Sequence, residues 1–315
     1  MAIFLSEAEV RSLLPIEEAI RALEPAFLQQ SSGTGINSPR KRLESGSAGI
    51  TMMVAVLGDQ GVSGFKTQGA GRPLVLLFGS EPRSLLAVME AAALGQIRTG
   101  AASGLATEVM ARKDAKSVGV IGTGNQAITQ LTAVCSVRQI TQIKAFSRTQ
   151  ENRDKFCVDM SAMLGVSVES VSSANEAVRG VDIVIAITNV RTLSPVLLGE
   201  WLEPGMHINA AGANSMNRRE LDDEAVTRSS LIVVDSKEQA KMECADLAIP
   251  VDLGLLEWDR VVELGRVVSG QVSGRSDPDD ITLFESQGIA LEDVAAATHI
   301  YNRAKQEGIG TTLPF

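Results

Sequence analysis

The stretch Val118-Gly119-Val120-Ile121-Gly122-Thr123-Gly124-Asn125-Gln126-Ala127 decides how this chain is read. It is a G-x-G-x-x-A turn that follows an apolar run, Ser117–Ile121, and opens a helical segment, Ile128–Val137. Gly122 permits the tight turn. Gly124 lets backbone N–H groups approach a pyrophosphate at the positive end of the helix, and Ala127 lets helix and strand pack closely. The alternative is a glycine turn in a sheet protein that binds nothing. The strand–turn–helix context favours a dinucleotide loop.

Downstream, the run Gln142–Phe146 ends at Phe146-Ser147-Arg148-Thr149. A site that accepts only NAD wants an acid there to receive the ribose 2′-OH, and this chain has none. Ser147 and Arg148 suit a 2′-phosphate instead, because a guanidinium forks onto phosphate oxygens. The reading therefore tilts towards NADP(H) over NAD(H). A surface arginine beside a cofactor bound without regard to the 2′ group is the competing reading. Further strand-like runs at 166–171, 181–187, 207–211 and 231–235 alternate with helix-like ones. That is the pattern of a doubly wound parallel sheet.

Upstream the texture differs. Ser6 with Glu9 fits a capping box, and Pro15 starts a second helical pattern carrying Ile16, Ala19, Ile20, Leu23 and Phe27. Gly33, Gly35 and Pro39 break it. The runs 50–57, 62–66 and 74–78 predict strands of a mixed or antiparallel sheet. Residues 85–112 read as helix interrupted near Gly95, and Lys113-Asp114-Ala115-Lys116 is a polar joint. The helical stretch 291–306 can return to the first domain. The fold class is thus α/β: a Rossmann domain, residues 116–292, plus a smaller α+β domain for substrate binding and dimerisation, residues 1–115 with a return over about 293–315.

Composition narrows the chemistry. The chain has 315 residues, 44% of them hydrophobic and 21% charged, with a net charge of −9. An acidic chain with 3% aromatics is a poor partner for nucleic acid. Only two histidines, His207 and His299, and three cysteines without a CxxC pair are present, so no metal site is expected. Cys135, Cys157 and Cys244 read as reduced thiols of a cytoplasmic protein. Residues 1–11 contain Glu7 and Glu9 and no long apolar run, which predicts neither a signal peptide nor a membrane anchor.

Five ordered motifs add a resemblance. They are Gln96-Ile97-Arg98-Thr99-Gly100-Ala101-Ala102-Ser103, the Gly122–Ala127 loop, the stretch from Pro204 to Gly212, Arg219-Glu220-Leu221-Asp222, and the stretch from Phe284 to Asp293. With them the chain resembles, almost end to end, the ornithine cyclodeaminase/mu-crystallin family. That family includes homodimeric cyclodeaminases, amino-acid dehydrogenases, ketimine reductases and a hormone-binding crystallin. The resemblance implies that Lys66 and Arg98 hold a substrate α-carboxylate. Arg40 matches a third such cation, with Arg42 close enough to compete. It implies that Asn125 and Gln126 touch the cofactor phosphates, together with Gly122, Thr123, Gly124 and Ala127. Thr188, Ala211, Gly212 and Ala213 lie at strand ends beside the cofactor, as do Ser147, Arg148 and Thr149. Ser286 and Gly288 match nicotinamide-side contacts.

Two departures shape the functional expectation. The family's cyclodeaminases carry an acid/base Asp where this chain has Asn214, and an amide cannot take a proton. The span from Lys66 to Arg98 is also shorter. Arg72 lies within it, either as a loop residue or as a ligand to a second substrate carboxylate. The expected activity is NAD(P)H-dependent reduction of a small 2-imino acid or cyclic ketimine carboxylate, such as pyrroline-2-carboxylate, piperideine-2-carboxylate or iminosuccinate. Lys66 and Asn214 are the candidate catalytic residues. A cyclodeaminase with tightly held NAD and a non-catalytic binding protein are the alternatives.

Overall fold

The computed structural model describes residues 1–69, 71–80 and 83–314. The chain divides into two units, Met1–Ala101 with Gly288–Phe315, and Ala102–Gln287. In chain order the elements begin with β1 (Ile3–Leu5), α1 (Glu7–Ser12), α2 (Ile16–Ser32), β2 (Gly35–Ser45), β3 (Ala48–Leu57), β4 (Val62–Gln68), β5 (Leu74–Ser80), β6 (Arg83–Glu90) and α3 (Ala92–Met110). They continue with β7 (Ser117–Ile121), α4 (Asn125–Val137), β8 (Gln142–Phe146), α5 (Gln150–Leu164), β9 (Val168–Ser170), α6 (Ala174–Val178), β10 (Ile183–Ala186) and β11 (His207–Ala210). Last come α7 (Asp223–Thr227), β12 (Leu231–Val234), α8 (Lys237–Glu243), α9 (Ala245–Asp252), β13 (Val261–Glu263), α10 (Leu264–Val268), β14 (Thr282–Glu285), α11 (Ala290–Glu307) and β15 (Thr311–Thr312).

The first unit is a seven-stranded sheet in the order β15-β1-β6-β5-β4-β3-β2. Strands β2 to β6 form an antiparallel meander, and β1 joins β6 in parallel. Alternation divides its faces. Met53, Ala55, Leu57, Val75, Leu77, Ala87 and Met89 are buried, and α11 packs across β2 to β6. The capping box forms: the Glu9 carboxylate accepts from the Ser6 N–H at 2.8 Å and from its hydroxyl at 2.7 Å.

Two expectations are corrected here. Residues 85–90 are strand, not helix. The run Leu85-Leu86-Ala87-Val88-Met89 is short and helix-tolerant, and pairing with β5 on one side and β1 on the other decides its state. Helix α3 is not interrupted at Gly95. It is buried on most of its circumference, which overrides the glycine penalty. The helical pattern does end at Gly33, the C-cap of α2, and Pro39 lies within the strand that follows. It sits in a register shift between Ser38 and Lys41 on the edge strand β2, where a missing N–H costs little.

The second unit is an eight-stranded parallel sheet in the order β13-β12-β14-β11-β10-β7-β8-β9. Every residue of β7, β10, β11 and β14 is buried, as expected of central strands covered on both faces. The boundary with the first unit falls within α3, at 101/102, where the polar joint at 113–116 had suggested 115/116. The second half of α3 is bonded into this unit. Asn209 Nδ2 donates to Thr107 Oγ1 at 2.9 Å, Arg138 Nη2 to the Thr107 carbonyl at 2.9 Å, and Arg275 Nε to the Met110 carbonyl at 3.0 Å.

Candidate active site

Three cations converge in the first unit. Lys66 on β4 stands opposite Met53 of β3 and Val75 of β5, so it shares their buried face beneath α11. Its Nζ lies 2.8 Å from Asp293 in the first turn of α11. Arg98 of α3 donates from Nε to the same carboxylate at 2.8 Å and from Nη1 to Glu292 at 2.6 Å. Arg40 of β2 donates from Nη2 to the Gly288 carbonyl at 2.9 Å. Gly288 has φ +70°, and a Cβ there would stand 2.5 Å from Arg98 Nη1. Glycine is therefore required both by the backbone and by the guanidinium.

Lys66 and Arg98 are buried and Arg40 is half-buried, and a cluster of two guanidiniums and an ammonium is suited to a carboxylate ligand. Burial pushes the Lys66 ammonium down to about 8, with the Arg98 charge adding to the effect. Burial alone would raise Asp293, but Arg98 and then Lys66 hold it below the usual carboxylate range. Arg72 stands elsewhere, in the β4–β5 connection. Its side chain is 69% exposed and pairs with Glu90 at 3.0 Å, with no hydrogen bond or ion pair to Lys66 or Arg98.

The dinucleotide loop lies in the second unit. Strand β7 leads to β8 on one side, while β10 and β11 continue on the other, so the order reverses between β7 and β10. Ligands of open parallel sheets bind at the carboxyl ends of the strands at such a switch point. Gly122, at φ +107°, passes so close to β10 that a Cβ would stand 2.3 Å from the Ile187 carbonyl oxygen. Gly124 caps α4 in an extended conformation with no side-chain bond to the first turn, and space is open around it. Asn125 and Gln126 are exposed and Ala127 is buried. The arrangement fits a pyrophosphate at a helix N-terminus.

The end of β8 flanks this loop. Ser147 Oγ is 2.8 Å from Thr123 Oγ1, and the Ser147 carbonyl accepts from Arg153 Nη1 at 2.9 Å. The Arg153 guanidinium lies 5.6 Å from the Phe146 ring centre. Arg148 and Thr149 are exposed. Thr188 and Gly212 both donate to the buried Glu220 carboxylate. Ala211 is half-buried, Ala213 buried, and Asn214 half-buried on the loop after β11. Ser286 Oγ contacts Asp235 at 3.4 Å. Gly288 belongs to the first unit, with the clamp.

The two imidazoles take no part. His207 Nδ1 is 2.9 Å from Thr282 Oγ1, and burial, helped by Arg275, lowers its pKa to about 3. His299 pairs with Glu18 at 2.9 Å. Sequence reasoning gave no role to Glu292, Asp293 or Glu220, although all three fall in quoted motifs. Two adjacent acids in the otherwise apolar stretch Ile289–Ala297 were the available signal, because an apolar helix face keeps carboxylates only when they are paired.

The sequence pattern of the ornithine cyclodeaminase/mu-crystallin family matches residues 1–308. Delta(1)-pyrroline-2-carboxylate reductase of Bacillus cereus is 38% identical over 243 residues, covering 77% of this chain and 74% of that protein. Thermococcus litoralis Delta(1)-pyrroline-2-carboxylate reductase, solved in complex with NADH and L-proline, superposes with a TM-score of 0.92 at 36% identity, covering 99% of this chain and 100% of that one. An archaeal alanine dehydrogenase dimer with bound NAD gives a TM-score of 0.91 at 33% identity, covering 100% of this chain and 99% of that one.

Proposed function

The chain belongs to the ornithine cyclodeaminase/mu-crystallin family, and from that premise we propose that it is an NAD(P)H-dependent reductase of a small 2-imino acid or cyclic ketimine carboxylate. The observation that carries the reading is the gathering of Lys66, Arg98 and Arg40 beside Asp293, Glu292 and the Gly288 carbonyl. Relatives of this chain carry reductase and dehydrogenase names for such substrates.

The cofactor, when bound, supplies the hydride that reaches the imine carbon. Arg98 and Arg40 orient the substrate through its carboxylate. Lys66, poised near 8, is mostly an ammonium at neutral pH and holds the proton that the imine nitrogen needs. Asn214 orients by hydrogen bonding and transfers no proton. That chemistry favours reduction over cyclodeamination, which calls for an acid/base group at this position.

The end of β8 favours NADP(H). It carries no acid, and the exposed Arg148 forms no ion pair with a described residue. The two solved relatives hold NADH and NAD, so competition between the two cofactors is the direct measurement. The protein works as a homodimer through the outer face of the first unit's sheet, where Ile36, Leu43, Ile50, Val54 and Val56 are exposed. The cytoplasm suits its three free cysteines, and no described helix is long and apolar enough to cross a membrane.

The test is an oxidation screen with NADPH and NADH across pyrroline-2-carboxylate, piperideine-2-carboxylate, iminosuccinate and a pyruvate–amine mixture. Net cofactor oxidation with at least one of them is the expected result. Ammonia release from L-ornithine without net cofactor oxidation would replace the reading with a cyclodeaminase.

A further inference from the structure

Glu220 is a buried carboxylate that receives hydrogen bonds from two neighbouring strand ends. Its Oε1 accepts from the Thr188 N–H at 2.6 Å and from the Thr188 hydroxyl at 2.6 Å. Its Oε2 accepts from the Gly212 N–H at 2.7 Å, and the Ala213 N–H adds a fourth donor. Thr188 lies just beyond β10 and Gly212 just beyond β11, and these strands are adjacent and parallel. The approach is so close that a Cβ at Gly212 would stand 2.5 Å from Glu220 Oε1 and 2.5 Å from Thr188 N. Burial pushes the Glu220 carboxyl above the ordinary range, and the hydrogen bonds from Thr188, Gly212 and Ala213 work against it by favouring the carboxylate.

Further groups hold Glu220 from behind. Asp246, in the first turn of α9, accepts from the Glu220 N–H at 2.8 Å and from the Leu221 N–H at 2.7 Å through Oδ1. Glu285, at the end of β14, and Cys244 lie close to it. One ligand atom from each of Asp246, Glu285 and Cys244 falls within 4.8 Å of the others. Neither Asp246 Oδ2 nor Glu285 Oε1 has a donor among the described residues. Burial raises both carboxyls, Asp246 to about 7; the Glu220 charge adds to the rise at Asp246, and Asp246 and Glu220 add to it at Glu285.

We propose that Glu220 is a positioning residue: its carboxylate ties the loops after β10 and β11 into one platform against which the nicotinamide half of the dinucleotide rests. This rests on the reading of the protein as a nicotinamide-dependent reductase. Thr188 and Gly212 sit at the carboxyl ends of the strands on the β10 side of the switch point, while Gly122–Ala127 take the pyrophosphate on the β7 side. Four backbone and side-chain donors spent on one buried carboxylate leave both loops a single arrangement. Such a staple matters to a ligand that spans them.

The experiment compares wild type with Glu220→Gln and Thr188→Val. It measures the NADH and NADPH dissociation constants by fluorescence, kcat and imino-acid KM at saturating cofactor, and the melting temperature. In Glu220→Gln the amide nitrogen meets N–H donors that the carboxylate accepted, and dinucleotide affinity should fall roughly tenfold or more. The imino-acid KM should stay as in wild type, because the clamp residues lie in the other unit. Thr188→Val removes one donor and should weaken cofactor binding in the same direction by less. It also decides the matter alone if Glu220→Gln does not fold. Wild-type cofactor affinity in the folded variants, with only the melting temperature lowered, would overturn the proposal. Failure of the wild-type protein to bind either dinucleotide would instead refute the reductase reading.

Discussion

Lys66 and Arg98 are held by the same Asp293 carboxylate, yet they should respond differently to change. Arg98 is always charged, and it also binds Glu292. Arg98→Ala leaves two buried acids underpaired, so it should cost stability and raise the imino-acid KM. The loss of a charge-assisted bond to the substrate is about 1.5–3 kcal/mol, or at least roughly tenfold. Lys66→Ala should raise KM similarly, and cofactor dissociation constants should be unchanged for both. Wild-type KM in either variant would remove that residue from the clamp. Lys66 also sets a pH dependence. Its folded pKa is about 8, below the ordinary value near 10.5, so the ammonium is lost as pH rises through 8. KM should climb above that pH, and Lys66→Arg, which stays charged, should remove the inflection. The unfolded chain binds more protons than the folded one between about 8 and 10.5, so this group's contribution to stability rises across the same window. A KM profile that is flat from pH 7 to 9.5 would show that Lys66 does not meet the carboxylate.

In the proposed reading, the end of β8 and the start of α4 take the cofactor's adenosine side. Arg148→Ala should weaken NADPH more than NADH, because only NADPH offers a phosphate on which a guanidinium can fork. Equal losses in a titration with both cofactors would show that Arg148 ignores the 2′ group. The loop itself is legible in the sequence. Gly122, Gly124 and Ala127 each answer a local steric demand, and the apolar Ser117–Ile121 run ahead of them could only be a central strand. The strand at Arg83–Glu90 was not legible. Leucine, alanine and methionine favour helices, and only the neighbours β5 and β1 determine that this run is extended.

At the scale of the whole molecule, the exposed apolar face of the first sheet calls for a partner. In register, Ile36 stands opposite Val56, and Leu43 opposite Ile50, so these side chains form one face across β2 and β3. Val54→Asp places a charge on that face, next to Val56 and across from Ser38. It should convert the proposed homodimer to a monomer in light scattering, while leaving the fold intact by circular dichroism. A dimer unchanged by Val54→Asp and by Ile36→Asp together would place the interface elsewhere. The sequence by itself determined the parallel sheet, the glycine turn between strand and helix, and the amide that stands in place of an acid at Asn214, because each depends on local pattern or on the chemistry of one side chain; Lys66, Arg98 and Arg40 came as candidate cations from the family resemblance. Only the tertiary structure decided which acids neutralise those cations, where α3 passes from one unit to the other, and that Glu220 spans two strand ends. Asp293 meets Lys66 across 227 positions of chain and Glu220 meets Thr188 across 32, and no periodicity encodes a contact of that kind. Such pairs are fixed by the burial of charge, which tolerates an anion inside a protein only where packed elements bring its donors to it.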